Sequence, residues 1–135
     1  KRLVLIGYTK MAERLKEEGL WNLPEHMPPD SFIIRSFSNR TKDYLILVGN
    51  NGRGTLYAVY TYLEKCCGVG FFYEGDRIPR QPALQWKDIK ITEQPWIELR
   101  EGGVVSADYN RPAIRKFSNT YWTLEDWQHA IDWMA

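Results

Sequence analysis

Residues Gly49–Phe72 read GNNGRGTLYAVYTYLEKCCGVGFF, directly after the apolar run Tyr44-Leu45-Ile46-Leu47-Val48. An apolar run, a glycine cluster and an amphipathic stretch in that order describe a strand, a tight connection and a helix. The question is whether the connection cradles a phosphate. A dinucleotide loop requires G-x-G-x-x-G, and a phosphate loop requires four residues between its glycine and a Gly-Lys pair. Gly49-Asn50-Asn51-Gly52-Arg53-Gly54 fits neither pattern. No Lys-Ser or Lys-Thr follows. About twenty residues on, where a ribose-binding acid belongs, the chain reads Val69-Gly70-Phe71-Phe72. The stretch is therefore read as a turn at Asn50-Asn51-Gly52, with positive φ available, feeding a helix through small residues.

The helix is expected over about Arg53–Cys67, with Leu56, Val59, Tyr60, Leu63 and Cys67 on its inward face. Upstream, Arg2–Gly7 reads as a buried strand. Thr9 can cap a helix over Lys10–Glu18 that Gly19 stops. Trp21–Asp30 holds three prolines and reads as a loop. Ser31–Phe37 and Asp43–Val48, separated by the polar turn Asn39–Lys42, read as a β-hairpin. Downstream, Val69–Tyr73 and Leu84–Thr92 read as strands. The expected fold class is α/β (an α+β sandwich): a mixed sheet in the order β-α-β-β-α-β-β, with helices packed mainly on one face.

Composition shifts at Glu93-Gln94-Pro95. A strand-like run from Trp96 to Glu101, a polar loop over Ser106–Thr120 and a helix from Thr123 follow. Thr123-Leu124-Glu125-Asp126 has the form of a capping box, and Trp127, Ala130, Ile131 and Met134 form the apolar stripe. One such unit is too small for a domain. The expected division is 1–94, an α/β domain, and 95–135, the incomplete start of a second one. The chain opens in a strand-like run and closes in a helical pattern, so it is expected to be an internal piece of a longer protein.

The 135 residues carry a net charge of +1, which argues against nucleic-acid binding. The longest apolar runs are a few residues, which predicts no membrane span. Two histidines, His26 and His129, and the adjacent Cys66 and Cys67 offer no metal-ligand spacing. The cysteines read as one buried and one half-exposed free thiol. No cofactor is expected. Asn39-Arg40-Thr41 is a glycosylation sequon in a turn.

The run Val48–Tyr57, with Tyr62-Leu63-Glu64, Gly68–Phe72 and Asp76-Arg77-Ile78-Pro79, resembles the non-catalytic α/β domain that precedes the catalytic barrel in several exo-acting glycoside hydrolases. β-N-acetylhexosaminidases, α-glucuronidases and α-N-acetylglucosaminidases carry one. Trp127 followed by Ile131-Asp132-Trp133-Met134-Ala135 is similar to the first barrel helix of the α-N-acetylglucosaminidase family. The resemblance implies a parent glycoside hydrolase with a (β/α)8 barrel, acting on a glycan and secreted, periplasmic or lysosomal. An α-glucuronidase-type parent, or a stand-alone carbohydrate-binding module, is the alternative. In that family the first barrel strand ends in Asn-x-Cys at the terminal sugar, where this chain has Gly103-Val104-Val105, so the sugar specificity is left open.

Glycoside hydrolysis requires two carboxyl groups facing each other across the scissile bond. Glu98, Glu101 and Asp108 lie near the expected barrel strand, but barrel catalysis draws on several strand ends. The resemblance implies that the acid/base and nucleophile lie beyond Ala135, so no catalytic residue is expected in the chain. Arg100 and Glu101, late in the barrel strand, are the candidate substrate-binding residues, with ordinary salt bridging as their alternative role. Trp86, Trp127 and Trp133 sit at core-facing spacings and read as packing residues.

Overall fold

The computed structural model describes residues 1–39, 41–72, 75–80, 84–96 and 123–134. The chain divides into two compact units, one of Lys1–Gly70 with Arg77–Glu98, the other of Phe71–Asp76 with Leu99–Ala135. The first holds a mixed four-stranded sheet, as expected for the α/β class. Its elements are β1 (Arg2–Ile6), α1 (Lys10–Glu17), β2 (Phe32–Asn39), β3 (Lys42–Gly49), α2 (Gly52–Cys67) and β4 (Lys90–Glu93), and the sheet order is β1-β3-β2-β4. β1 runs parallel to β3, with Leu3 opposite Tyr44; β2 is antiparallel to both β3 and β4.

Helix starts and stops follow side-chain chemistry. The Thr9 hydroxyl accepts from the Ala12 amide, and Asn51 Oδ1 accepts from the Gly54 amide at 2.7 Å. Each satisfies an amide that the first helical turn leaves unpaired. Gly68 ends α2 in the left-handed region at φ 72°, where its amide donates to the Glu64 carbonyl.

The helices do not share one face. Ala12 and Leu15 of α1 pack with Trp21, Ile33, Tyr44, Ile46 and Val48. Ala58, Tyr62 and Cys67 of α2 pack with Phe32, Ile34, Leu45, Leu47 and Ile89. Alternate residues of the same strands belong to opposite clusters, so the sheet is covered on both sides. The physical reason stands in the sequence: Phe32-Ile33-Ile34 and Tyr44–Val48 are continuous apolar runs rather than alternating ones, the pattern of strands buried on both faces. Trp21 fastens the loop after α1 by donating its indole N–H to the Ala12 carbonyl at 2.8 Å.

Three further expectations are corrected. The inward face of α2 is Gly54, Ala58 and Tyr62, flanked by Tyr57, Val59 and Leu63; Leu56 and Tyr60 are exposed. Small residues mark the line of closest approach, where the helix backbone lies nearest the sheet. Residues 69–72 form no strand; Gly70 makes only an isolated bridge with Arg77. The last strand starts at Lys90, because Asp88 sits at φ 60° and interrupts extended backbone before it.

In the second unit, α3 (Leu124–Met134) is the described helix. Its start is a reciprocal capping box: the Thr123 amide donates to Asp126 Oδ2 at 2.8 Å, and the Asp126 amide donates back to the Thr123 hydroxyl at 3.2 Å. Ala130 is buried and Trp127 half-buried, whereas Ile131 of the expected stripe is exposed.

Candidate functional site

β1 and β3 lie side by side and parallel, and their connections leave towards opposite faces, to α1 and α2. In open α/β sheets, ligands bind beyond the carboxyl ends of strands where connections diverge in this way. The residues at that place are Gly7 and Tyr8 after β1, and Gly49–Arg53 after β3. This is the glycine-rich stretch whose role the sequence left to be decided.

The glycines there answer to close packing. A Cβ on Gly49 would lie 2.2 Å from both the Gly54 carbonyl carbon and the Thr55 nitrogen, and one on Gly54 would lie 2.6 Å from the Ser31 carbonyl oxygen. Strand end, helix start and the Asp30-Ser31 backbone therefore meet with no room for a methyl group. The anticipated positive φ is not used: Asn51 is extended, at φ −144°. Gly52 has open space around its Cβ position, so of the three glycines it alone is sterically free.

Several polar groups of the loop bond within it or to the segment before β2. The Gly49 amide donates to the Thr55 hydroxyl at 3.0 Å, the Asn50 amide to the Ser31 carbonyl at 3.0 Å, and the Thr55 amide to the Asn51 carbonyl at 3.0 Å. Asn50 Nδ2 donates to the Met27 carbonyl at 3.0 Å. These bonds tie the proline-rich loop to the start of α2.

The anion at this helix start comes from the chain itself. Asp30, 2% exposed and at φ 61°, accepts from Asn51 Nδ2 at 2.9 Å and is gripped by Arg53 through Nε and Nη2, each at 2.9 Å. The two-pronged geometry is that of an arginine–carboxylate fork. Arg53 is held protonated beyond its ordinary range by its hydrogen bond to Asp30 and that carboxylate's charge. A helix N-terminus favours a negative charge; here the charge is a buried side chain. The arrangement builds a rigid junction, and the amides named above are not directed at a ligand.

Sequence reading missed this trio. Asp30 lies in a loop signalled by Pro28-Pro29, and its partner Arg53 is 23 residues away. Only the unusual backbone need at position 30 leaves a trace, since Asp tolerates the left-handed region better than most residues. The sequence-derived candidates Arg100 and Glu101 lie outside the described residues, as do Glu98 and Asp108. Among the described residues, no group of three His, Cys, Asp or Glu side chains could hold a metal ion.

The two thiols are free, Cys67 buried and Cys66 half-buried, as their helical neighbourhood implied. Burial, and then the neighbouring Cys67, push the Cys66 thiol up from its ordinary range. Tyr62, on the buried face of α2, donates its hydroxyl to the Gln85 carbonyl at 2.9 Å, and burial raises its phenol as well. Both shifts disfavour the ionised, nucleophilic form.

Comparison with protein-family models, curated proteins and solved structures finds no match to the chain. Among the described residues no helix is long and apolar enough to cross a membrane.

Proposed function

We propose that the chain is the accessory α/β domain, with the first part of the catalytic barrel, of an exo-acting glycoside hydrolase of the α-N-acetylglucosaminidase type. The domain serves the barrel as a rigid scaffold, and the parent enzyme acts on a terminal sugar of a glycan. The observation that carries this reading is the glycine loop. It joins a central strand to a helix through backbone contact and carries the Asp30–Arg53 fork, whose carboxylate is buried and whose arginine is exposed. That is what a structural junction requires. The residue runs at Val48–Phe72 and Trp127–Ala135 supply the family direction.

The test uses p-nitrophenyl α-N-acetylglucosaminide and an aldobiouronic acid, with the 135-residue chain and with the complete parent protein. The chain alone turns over neither substrate. The parent cleaves the first; cleavage of the second instead transfers the reading to α-glucuronidases. A parent that cleaves neither refutes it.

A further inference from the structure

We propose that Arg35 and Lys90 form a binding site for a doubly charged tetrahedral oxyanion, a sulfate or a phosphate, on the α1 side of the sheet where β2 meets β4. The two residues are register partners. Beside them the Ser36 amide donates to the Ile89 carbonyl at 3.0 Å, which makes Ser36 and Ile89 the hydrogen-bonded step of the ladder. Arg35 and Lys90 occupy the alternate step, in which opposed side chains stand closest, about 4.5 Å apart at Cα. Like charges directly opposite each other destabilise a strand pair.

The described surroundings supply no counter-charge. Ile33 and Phe37, two residues to either side of Arg35 on β2, and Ile46, its partner on β3, share its face and are apolar. Neither Arg35 nor Lys90 belongs to an ion pair among the described residues. Arg35 Nε is closed off from solvent without a hydrogen-bond partner, a state that folded proteins rarely leave uncompensated. The two Nη groups are not closed off in this way. Lys90 and Thr92 are exposed on the same face, so the corner is open to a ligand.

The chemistry selects the class of anion. The paired Nη groups of a guanidinium take two oxygens side by side, and the Lys90 ammonium takes a third. A tetrahedral oxyanion has that third oxygen to offer; a carboxylate has only two. Two negative charges also balance two positive ones, whereas a monocarboxylate leaves one over. The dry Nε sets the guanidinium in surroundings less polar than those of a surface lysine, and attraction to an anion strengthens accordingly. Binding involves no covalent step, and the site does not depend on the hydrolase reading.

The test is a heteronuclear NMR titration of the 135-residue chain at pH 7.5 with sulfate, inorganic phosphate and glucose 6-phosphate, against sodium chloride at equal ionic strength and acetate as the monoanion. The dianions should shift the Arg35 Nε–H resonance and the Lys90 amide and saturate. Equal affinity for inorganic phosphate and the sugar ester makes the free oxyanion the ligand, and a tighter ester places it on a larger molecule. R35K keeps the charge but loses the fork, and K90Q keeps the fork but loses a charge; with dispersed, native-like spectra, each should bind several-fold more weakly. Shifts that stay linear and match those in chloride are screening alone and overturn the proposal. Saturation that neither variant weakens overturns it too, and acetate binding as tightly as sulfate overturns the dianion assignment.

Discussion

Replacing Gly49 by alanine tests the account of the glycine loop most directly. The added carbon would stand 2.2 Å from two backbone atoms of α2, more than 1 Å inside ordinary contact. Neither atom belongs to a flexible side chain, so relief requires β3 and α2 to separate. That separation breaks the Gly49 amide bond to Thr55 and loosens the cluster around Leu47, Ala58 and Tyr62. Overpacking a well-filled site costs about 1–3 kcal/mol, and more where backbone must move. The expected loss for G49A is therefore about 3 kcal/mol or above, read by urea denaturation. G52A is the internal control, because nothing lies within 4 Å of its Cβ position and the residue is helical. It should be neutral or stabilise by about 0.4–1 kcal/mol through the unfolded chain. If G49A lies within about 0.5 kcal/mol of the parent, the ordinary scatter of surface substitutions, the loop relaxes freely and the close-packing argument fails.

Leu47→Ala should cost about 2–5 kcal/mol and Leu56→Ala less than about 0.5 in the same assay, since only the first side chain is buried; equal losses would restore the inward face expected from the sequence. Asp30→Ala, which removes the buried acceptor of Asn51 and Arg53, should lower stability without changing nucleotide affinity, as followed by denaturation and calorimetric titration. The Asp126 carboxyl is held below its ordinary range by the Thr123 amide and hydroxyl. A depressed acid stabilises the fold above its unfolded value and loses that contribution as pH falls through the folded one. Helix α3, as a peptide from Trp122 to Ala135, should thus lose circular-dichroism helicity below about pH 4, and D126N should flatten that dependence. Iodoacetamide at neutral pH should label Cys66 slowly and Cys67 more slowly in the native chain, and both rapidly in denaturant; fast native labelling would contradict the raised thiol.

Much of the first unit is legible in the sequence because its signals are local. Thr9 before a periodic run, Gly68 after one, and two apolar segments around a polar turn each specify their element without distant partners. The sidedness of the sheet is legible too, in the continuous apolar runs Phe32-Ile33-Ile34 and Tyr44–Val48. What resisted reading is long-range. The face of α2 is set by how closely Gly54 and Ala58 let it approach, and a hydrophobic stripe through Leu56 and Tyr60 looks equally plausible on a helical wheel. The Asp30–Arg53 fork joins a proline-rich loop to a helix start that lies 23 residues on. Asp88 broke a strand that alternation alone would have continued. The family direction came from short residue runs, which carry no geometry.

The strand order β1-β3-β2-β4 also sets a sequence of events in folding. β2 and β3 pair from Asn39 and Lys42 onward, close in sequence, and α2 follows β3 directly, so these three can find one another locally. β1 cannot. Its register partner for Leu3 is Tyr44, and the loop between them holds a helix and the whole proline-rich segment. Closing a long loop costs chain entropy before its contacts are made. The first strand of the chain therefore enters the sheet after β2, β3 and α2, and pulse-labelled amides should become protected in β3 and α2 ahead of Val4 and Leu5. Until β1 arrives, one edge of β3 stands open. The apolar run Leu45–Val48 is then exposed to any other unpaired strand, which makes the interval before β1 docks the point at which the chain is most prone to aggregate.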